Sequence, residues 1–98
     1  MIASFGDKAT EDLFHGRPTR RARRIPADIV SGALRRLDIL NAARQISDLS
    51  APPGNRLEAL RGDLRGSHSI RINERWRIVF RWVGGDAHEV RIVDYHGG

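Results

Sequence analysis

Asp94, Tyr95 and His96 stand side by side near the end of a 98-residue chain, which brings a carboxylate, a phenol and an imidazole together. Cleaving RNA with side chains alone needs a proton taken from a 2′-hydroxyl, charge stabilised on the phosphorane, and a proton given to the leaving oxygen. Imidazole carries protons near neutral pH, a neighbouring carboxylate orients the ring or acts as base itself, and a tyrosine stacks on an unpaired base. The same spacing also describes a polar, solvated chain end, so both readings stand at this level.

Two arginines are candidates for stabilising a phosphorane. Arg61 sits in Arg61-Gly62-Asp63, a turn that follows the apolar-rich Leu57-Glu58-Ala59-Leu60. From there a guanidinium can reach across a sheet face towards phosphate, although a plain surface arginine fits too. The tripeptide matches a cell-adhesion signal by chance. Arg77 lies within Trp76-Arg77-Ile78-Val79-Phe80, where alternation places it on the face opposite the apolar side chains. His15, His68 and His88 are scattered through different segments and are expected to be structural or exposed. No glycine-rich phosphate loop and no His/Asp/Glu spacing of a metal site occurs, so neither metal nor cofactor is expected.

The elements that must position these groups are an N-terminal strand, two helices and an antiparallel sheet. Ile2 to Phe5 reads as the strand, and Asp7 offers an N-cap for a short helix through Phe14. Pro26 suits the first position of the main helix, in which Ile29, Val30, Ala33, Leu34, Leu37, Leu40 and Ala43 form one apolar stripe. Arg35, Arg36, Asp38, Asn41 and Arg44 form its solvated face. Pro52-Pro53-Gly54-Asn55 ends the helical half. Arg56 to Leu60, Ser67 to Asn73, Trp76 to Val83 and Ala87 to Tyr95 then alternate as strands, with turns at Asn73-Glu74-Arg75 and Gly84-Gly85-Asp86.

Parity gives this sheet two unlike faces. Ile70, Ile72, Trp76, Ile78, Phe80, Trp82, Val90 and Ile92 share one and should pack on the helices, with both tryptophans in the core. Arg71, Arg77, Val79, Arg81, Arg91 and Val93 share the other, with only Glu89 as a local acid. Four arginines on one face repel unless anions lie between them. An open basic surface for a polyanion is therefore expected, with Arg71, Arg81 and Arg91 as RNA-binding residues. The fold class is α+β, with the helices packed on one face and residues 1–98 as one domain.

Composition agrees with that partner. The formal net charge is +5, and sixteen of the seventeen basic residues are arginine, Lys8 being the exception. Guanidinium binds phosphate through two parallel hydrogen bonds and stacks on bases, although a GC-rich genome would also enrich arginine. Without cysteine there is no disulfide framework. No leader and no stretch near the roughly 20 apolar residues of a membrane span is evident, and a soluble, cytoplasmic protein is expected.

Arg56-Leu57-Glu58-Ala59-Leu60-Arg61-Gly62-Asp63, then Ser69-Ile70-Arg71-Ile72-Asn73, Trp76-Arg77-Ile78-Val79-Phe80 and Asp94-Tyr95-His96, resemble in order the HigB "killer" toxins of the RelE/ParE superfamily. Met1-Ile2-Ala3-Ser4-Phe5 also resembles that family's start. The resemblance implies a compact RelE-like fold and a ribosome-dependent, metal-independent endoribonuclease that cleaves mRNA in the ribosomal A site, leaving a 2′,3′-cyclic phosphate. It further implies neutralisation by a HigA-type helix-turn-helix antitoxin, with operator DNA reached only through the antitoxin complex and no membrane partner. By position, Asp94, Tyr95 and His96 match the family's active triplet, and Arg77 matches the arginine of its Trp-Arg motif. Arg61 stands where the family usually has lysine, which keeps the charge but gives up easy proton donation. Some relatives have histidine where Glu58 stands. The alternatives are a ParE-like toxin that inhibits DNA gyrase without nucleolysis, and a basic RNA-binding module without catalysis.

Overall fold

The computed structural model describes residues 1–50 and 54–95. Pro52 and Pro53 of the expected turn, and His96 of the C-terminal triplet, lie outside the described residues. Helix α1 spans Lys8–Phe14, and its N-cap is Asp7, whose carboxylate accepts the Thr10 backbone N–H at 2.8 Å. Helix α2 spans Val30–Ala42. It begins later than Pro26 predicts, because Pro26 is extended and a single 3-10 turn, Ala27–Ile29, intervenes.

The sheet is a four-stranded antiparallel meander in the order β1 (Glu58–Ala59), β2 (Ser67–Arg71), β3 (Trp76–Val83) and β4 (Asp86–Asp94). Both expected turns are present. Gly84 and Gly85 have φ of 60° and 83°, the left-handed pair that a two-residue hairpin requires. At the other turn the Asn73 side chain accepts the N–H groups of Arg75 and Trp76, each at 2.8 Å.

The N-terminal segment differs from the expected strand. It runs parallel to the β4 edge through two isolated bridges, Ile2 with Ala87 and Phe5 with Val90. Gly6 permits this close approach, since a Cβ there would lie 2.8 Å from the Glu89 carbonyl oxygen. Beyond it, the Thr10 hydroxyl accepts the Ile92 N–H at 2.9 Å, so α1 continues the cover of that edge. These bonds satisfy backbone groups that an open edge would expose.

Ala33, Leu37 and Leu40 of α2 are fully buried in the same cluster as Ile70, Ile78, Phe80 and Val90 of the sheet. The expected stripe and the expected sheet face therefore form the core. Each such leucine contributes roughly 1.5–3 kcal/mol by leaving water. Trp76 and Trp82 pack against this cluster while remaining partly exposed. Strict alternation fails once, at Glu89. Val79 pairs with Arg91 but Arg81 pairs with His88, so β4 holds one extra residue, and Glu89 takes φ of 56°. The bulge lets Ala87 and Val90, three residues apart, both enter the core.

Candidate active site

Three elements bring the candidate residues together. The first is the segment from Arg56 to Arg61, which includes β1. Glu58 and Ala59 pair with Ser69 and His68 of β2, and the chain then turns at Arg61 into one 3-10 turn, Gly62–Leu64. The second is the start of β3, which carries Arg77. The third is the end of β4, which carries Asp94 and Tyr95. Glu58, Ala59, Leu60, Arg61 and Tyr95 line one groove of about 520 Å³ at this junction.

Arg77 forms the floor of the arrangement rather than part of an open surface. It is 8% exposed. Its Nε donates to Ser69 Oγ at 2.8 Å, and its Nη2 donates to the Arg56 carbonyl at 2.8 Å and lies 3.5 Å from Glu58 Oε1. Arg56 has φ of 44°, an uncommon conformation for a residue with a side chain, and the Arg77 bond holds that turned carbonyl in place. The Arg77 guanidinium also sits over the Tyr95 ring, 5.4 Å from its centroid, a favourable cation–π placement. Tyr95 itself remains 38% exposed.

Asp94 is held by Arg75. Arg75 Nε lies 3.0 and 2.9 Å from the two Asp94 carboxylate oxygens, and Nη2 lies 2.7 Å from Oδ2. The Arg75 carbonyl in turn accepts the Tyr95 N–H at 2.6 Å. Hydrogen bonding to Asp94, followed by its negative charge, raises the Arg75 guanidinium above its already high ordinary pKa.

The expected basic face is open only in part. Val79 is fully buried on it, Arg77 is turned inward, and Arg81 pairs with Glu89 at 3.6 Å. Arg71 and Arg91 are half-buried. Glu89 is therefore not the only acid among these arginines, since Glu58 approaches Arg77 from β1. Arg77 and Arg81 thus meet acids within the protein, while the exposed cation lining the groove is Arg61.

Glu58 and Arg75 were not among the candidates that the sequence suggested for chemistry. Their signals were a carboxylate on the strand that pairs with β2, and an arginine placed by Asn73 at the mouth of a hairpin. His68 stacks on Phe80 at 6.1 Å between ring centroids, and His15 packs edge-on to Phe5 and Phe14, which accords with structural roles. Among the described residues, no group of three or more His, Asp or Glu side chains is placed to hold a metal ion. Nor is any helix long and apolar enough to cross a membrane.

The fold and groove define a small α+β protein with cations, a carboxylate and an aromatic ring gathered at one sheet end. The model of the RelE-like toxins of the type II toxin-antitoxin system HigB matches residues 3–96. Toxin HigB-1 of Vibrio cholerae is 45% identical over 87 residues, covering 89% of this chain and 90% of that protein. Endoribonuclease HigB of Proteus vulgaris is 34% identical over 96 residues, covering 98% of this chain and 100% of its own. The chain belongs to the HigB-like toxin family of type II toxin-antitoxin systems.

Proposed function

We propose that this toxin is a ribosome-dependent endoribonuclease that cleaves mRNA in the ribosomal A site and so halts translation and growth. The observation that carries this reading is the convergence of Glu58, Arg61 and Tyr95 on one groove, with Arg77 beneath the tyrosine ring. The whole-length similarity to a protein named as an endoribonuclease supports it.

In this reading the 2′-oxygen attacks the adjacent phosphorus and the 5′-oxygen leaves, giving a 2′,3′-cyclic phosphate. His96 and Asp94 serve proton transfer, the carboxylate of Asp94 being held by Arg75. Tyr95 stacks on or orients a base. Arg61 supplies positive charge where the phosphorane develops, at a position where guanidinium cannot act as a general acid. Arg77 contributes charge from below and holds the groove in shape. Arg71, Arg81 and Arg91 grip the RNA backbone. The toxin works in the cytoplasm as one domain. Its antitoxin is a HigA-type helix-turn-helix protein, and operator DNA is met only in the complex with that antitoxin.

Toe-printing of translating ribosomes with wild type and His96→Ala tests the reading. Cleavage by wild type and its loss in the variant are expected. Equal cleavage by both removes His96 from the mechanism, and gyrase inhibition without mRNA loss replaces the reading with a non-nucleolytic toxin.

A further inference from the structure

We propose that Ser69 is a positioning residue for the cleavage reaction, its hydroxyl aiming the Arg77 guanidinium at the groove wall and at the Tyr95 ring. The assignment rests on the ribonuclease reading above. Ser69 of β2 pairs with Val79 of β3, so Arg77, two residues before Val79, lies diagonally across from it on the same sheet face. On its other side Ser69 pairs with Glu58 of β1. The Arg77 side chain starts on β3 and brings its Nη2 to 3.5 Å from Glu58 Oε1. It therefore crosses β2 at Ser69.

Ser69 is fully buried, and its Oγ accepts the Arg77 Nε–H at 2.8 Å. With Nε held there, Nη2 donates to the Arg56 carbonyl at 2.8 Å, and the guanidinium carbon lies 5.4 Å from the Tyr95 ring centroid. Two hydrogen bonds from one rigid, planar fork fix both its position and its tilt. Both oxygens that receive them are neutral. A carboxylate in place of Ser69 would orient the arginine equally well, but it would cancel the charge that a phosphorane needs. A small side chain also suits the point where a long one crosses a strand.

Without the hydroxyl, the buried Arg77 Nε–H loses its acceptor, and the guanidinium turns to recover one. That rotation moves Nη2 off the Arg56 carbonyl and the guanidinium plane off the Tyr95 ring. Arg56 stands two residues before β1, so the groove wall loosens with it. Ser69, being fully buried, touches neither RNA nor the reacting atoms. Its effect on the reaction travels through Arg77.

The test compares wild type with Ser69→Ala, Ser69→Thr and Ser69→Val, the last two being alike in shape and different in the hydroxyl. NMR of the labelled proteins follows exchange of the Arg77 Nε proton with solvent and the ring signals of Tyr95, the single tyrosine of the chain. Single-turnover cleavage of ribosome-bound mRNA over a range of toxin concentrations separates the maximal rate from half-saturation. Melting curves set the temperature below the transition of every variant. In Ser69→Ala the Arg77 proton should exchange at least about tenfold faster, and the Tyr95 signals should move. The maximal rate should fall about 10- to 10²-fold while half-saturation changes less than about threefold. Ser69→Thr should keep more of the protection and of the rate than Ser69→Val. Unchanged exchange and ring signals in Ser69→Ala would overturn the assignment, as would cleavage within about threefold of wild type. Equal behaviour of Ser69→Thr and Ser69→Val would overturn it too, since it marks a packing role. A wild type that does not cleave mRNA counts against the ribonuclease reading instead, and the two NMR signals then decide whether Ser69 aims Arg77.

Discussion

Arg75 and Asp94 close a fork across the sheet end, joining the turn between β2 and β3 to the last residue of β4 with contacts of 2.7–3.0 Å. The same arginine accepts the Tyr95 N–H through its carbonyl. One residue therefore fixes both Asp94 and the backbone of the tyrosine that follows it.

Arg75→Ala is expected to separate activity from stability. The pair is well exposed, with the arginine side chain at 60%, so its loss should lower stability by no more than about 1 kcal/mol. The geometry of the chain end should nevertheless loosen, and cleavage should fall by roughly tenfold or more, as misplaced groups do. Thermal melting and a cleavage assay on the same preparation check this. A large fall in melting temperature with proportionate loss of activity would assign Arg75 to the fold instead.

Arg77 behaves oppositely. Its bonds to Ser69 Oγ and the Arg56 carbonyl are buried or half-buried, and hydrogen bonds to a charged group contribute about 1.5–3 kcal/mol each. Arg77→Ala should therefore cost roughly 2–4 kcal/mol, and a domain of this size loses about 4–8 °C in Tm per kcal/mol. Arg77→Lys should recover only part, because one ammonium cannot reach the hydroxyl, the carbonyl and the ring together. Urea unfolding of the three proteins provides the measurement.

Arg61 is exposed at the groove and caps only a short 3-10 turn. Arg61→Ala should leave the melting temperature within a degree or two and slow cleavage about 10²-fold, the scale for removing one charge-stabilising donor. Arg61→Lys should stay within about tenfold of wild type, since the positive charge remains. If neither substitution changes the rate, the groove is not where the phosphorane forms.

Asp12 makes stability depend on acid. Its side chain is 4% exposed, and it accepts from Thr19 Oγ1 at 2.7 Å with Arg21 and Arg17 close by. The Thr19 hydrogen bond, opposed by burial and reinforced by Arg21 and Arg17, lowers the carboxyl below its ordinary value of 3.8. A depressed carboxylate stabilises the fold fully above that ordinary value and loses the contribution as pH falls through the lower, folded one. The melting temperature should thus drop on acidification below 3.8, and Asp12→Asn should flatten that part of the curve. An unchanged acid slope in the variant would place the effect elsewhere, for example on Asp48, also lowered by the N–H groups of Arg44 and Gln45.

The helices and the meander were legible because their signals are local and repeated. The spacing from Ile29 to Ala43 marks one helical face, the Asp7 cap marks a helix start, and Gly84-Gly85 marks a hairpin. Pro26 misled by a few residues, since a proline that begins a helix also suits the extended residue before a 3-10 turn. The bulge at Glu89 was hidden, because one extra residue in a strand leaves no trace in composition. As for the site, Tyr95, Asp94, Arg61 and Arg77 were visible through their types and through family resemblance. Glu58 and Arg75 were not, because their partners lie 19 residues away in each case: Arg77 for Glu58, and Asp94 for Arg75.

The sequence alone determined an α+β fold, a strongly basic chain, and a carboxylate, a phenol and an imidazole side by side near its end, since each depends on residue type, periodicity or charge. Whether the arginines would form an open face or be matched from within was decided only by the tertiary structure. Burial and pairing are set by what lies across a strand or turn, and that follows from register. Register turned Arg77 inward beneath Tyr95, gave Asp94 to Arg75, and left Glu58 and Arg61 facing the groove.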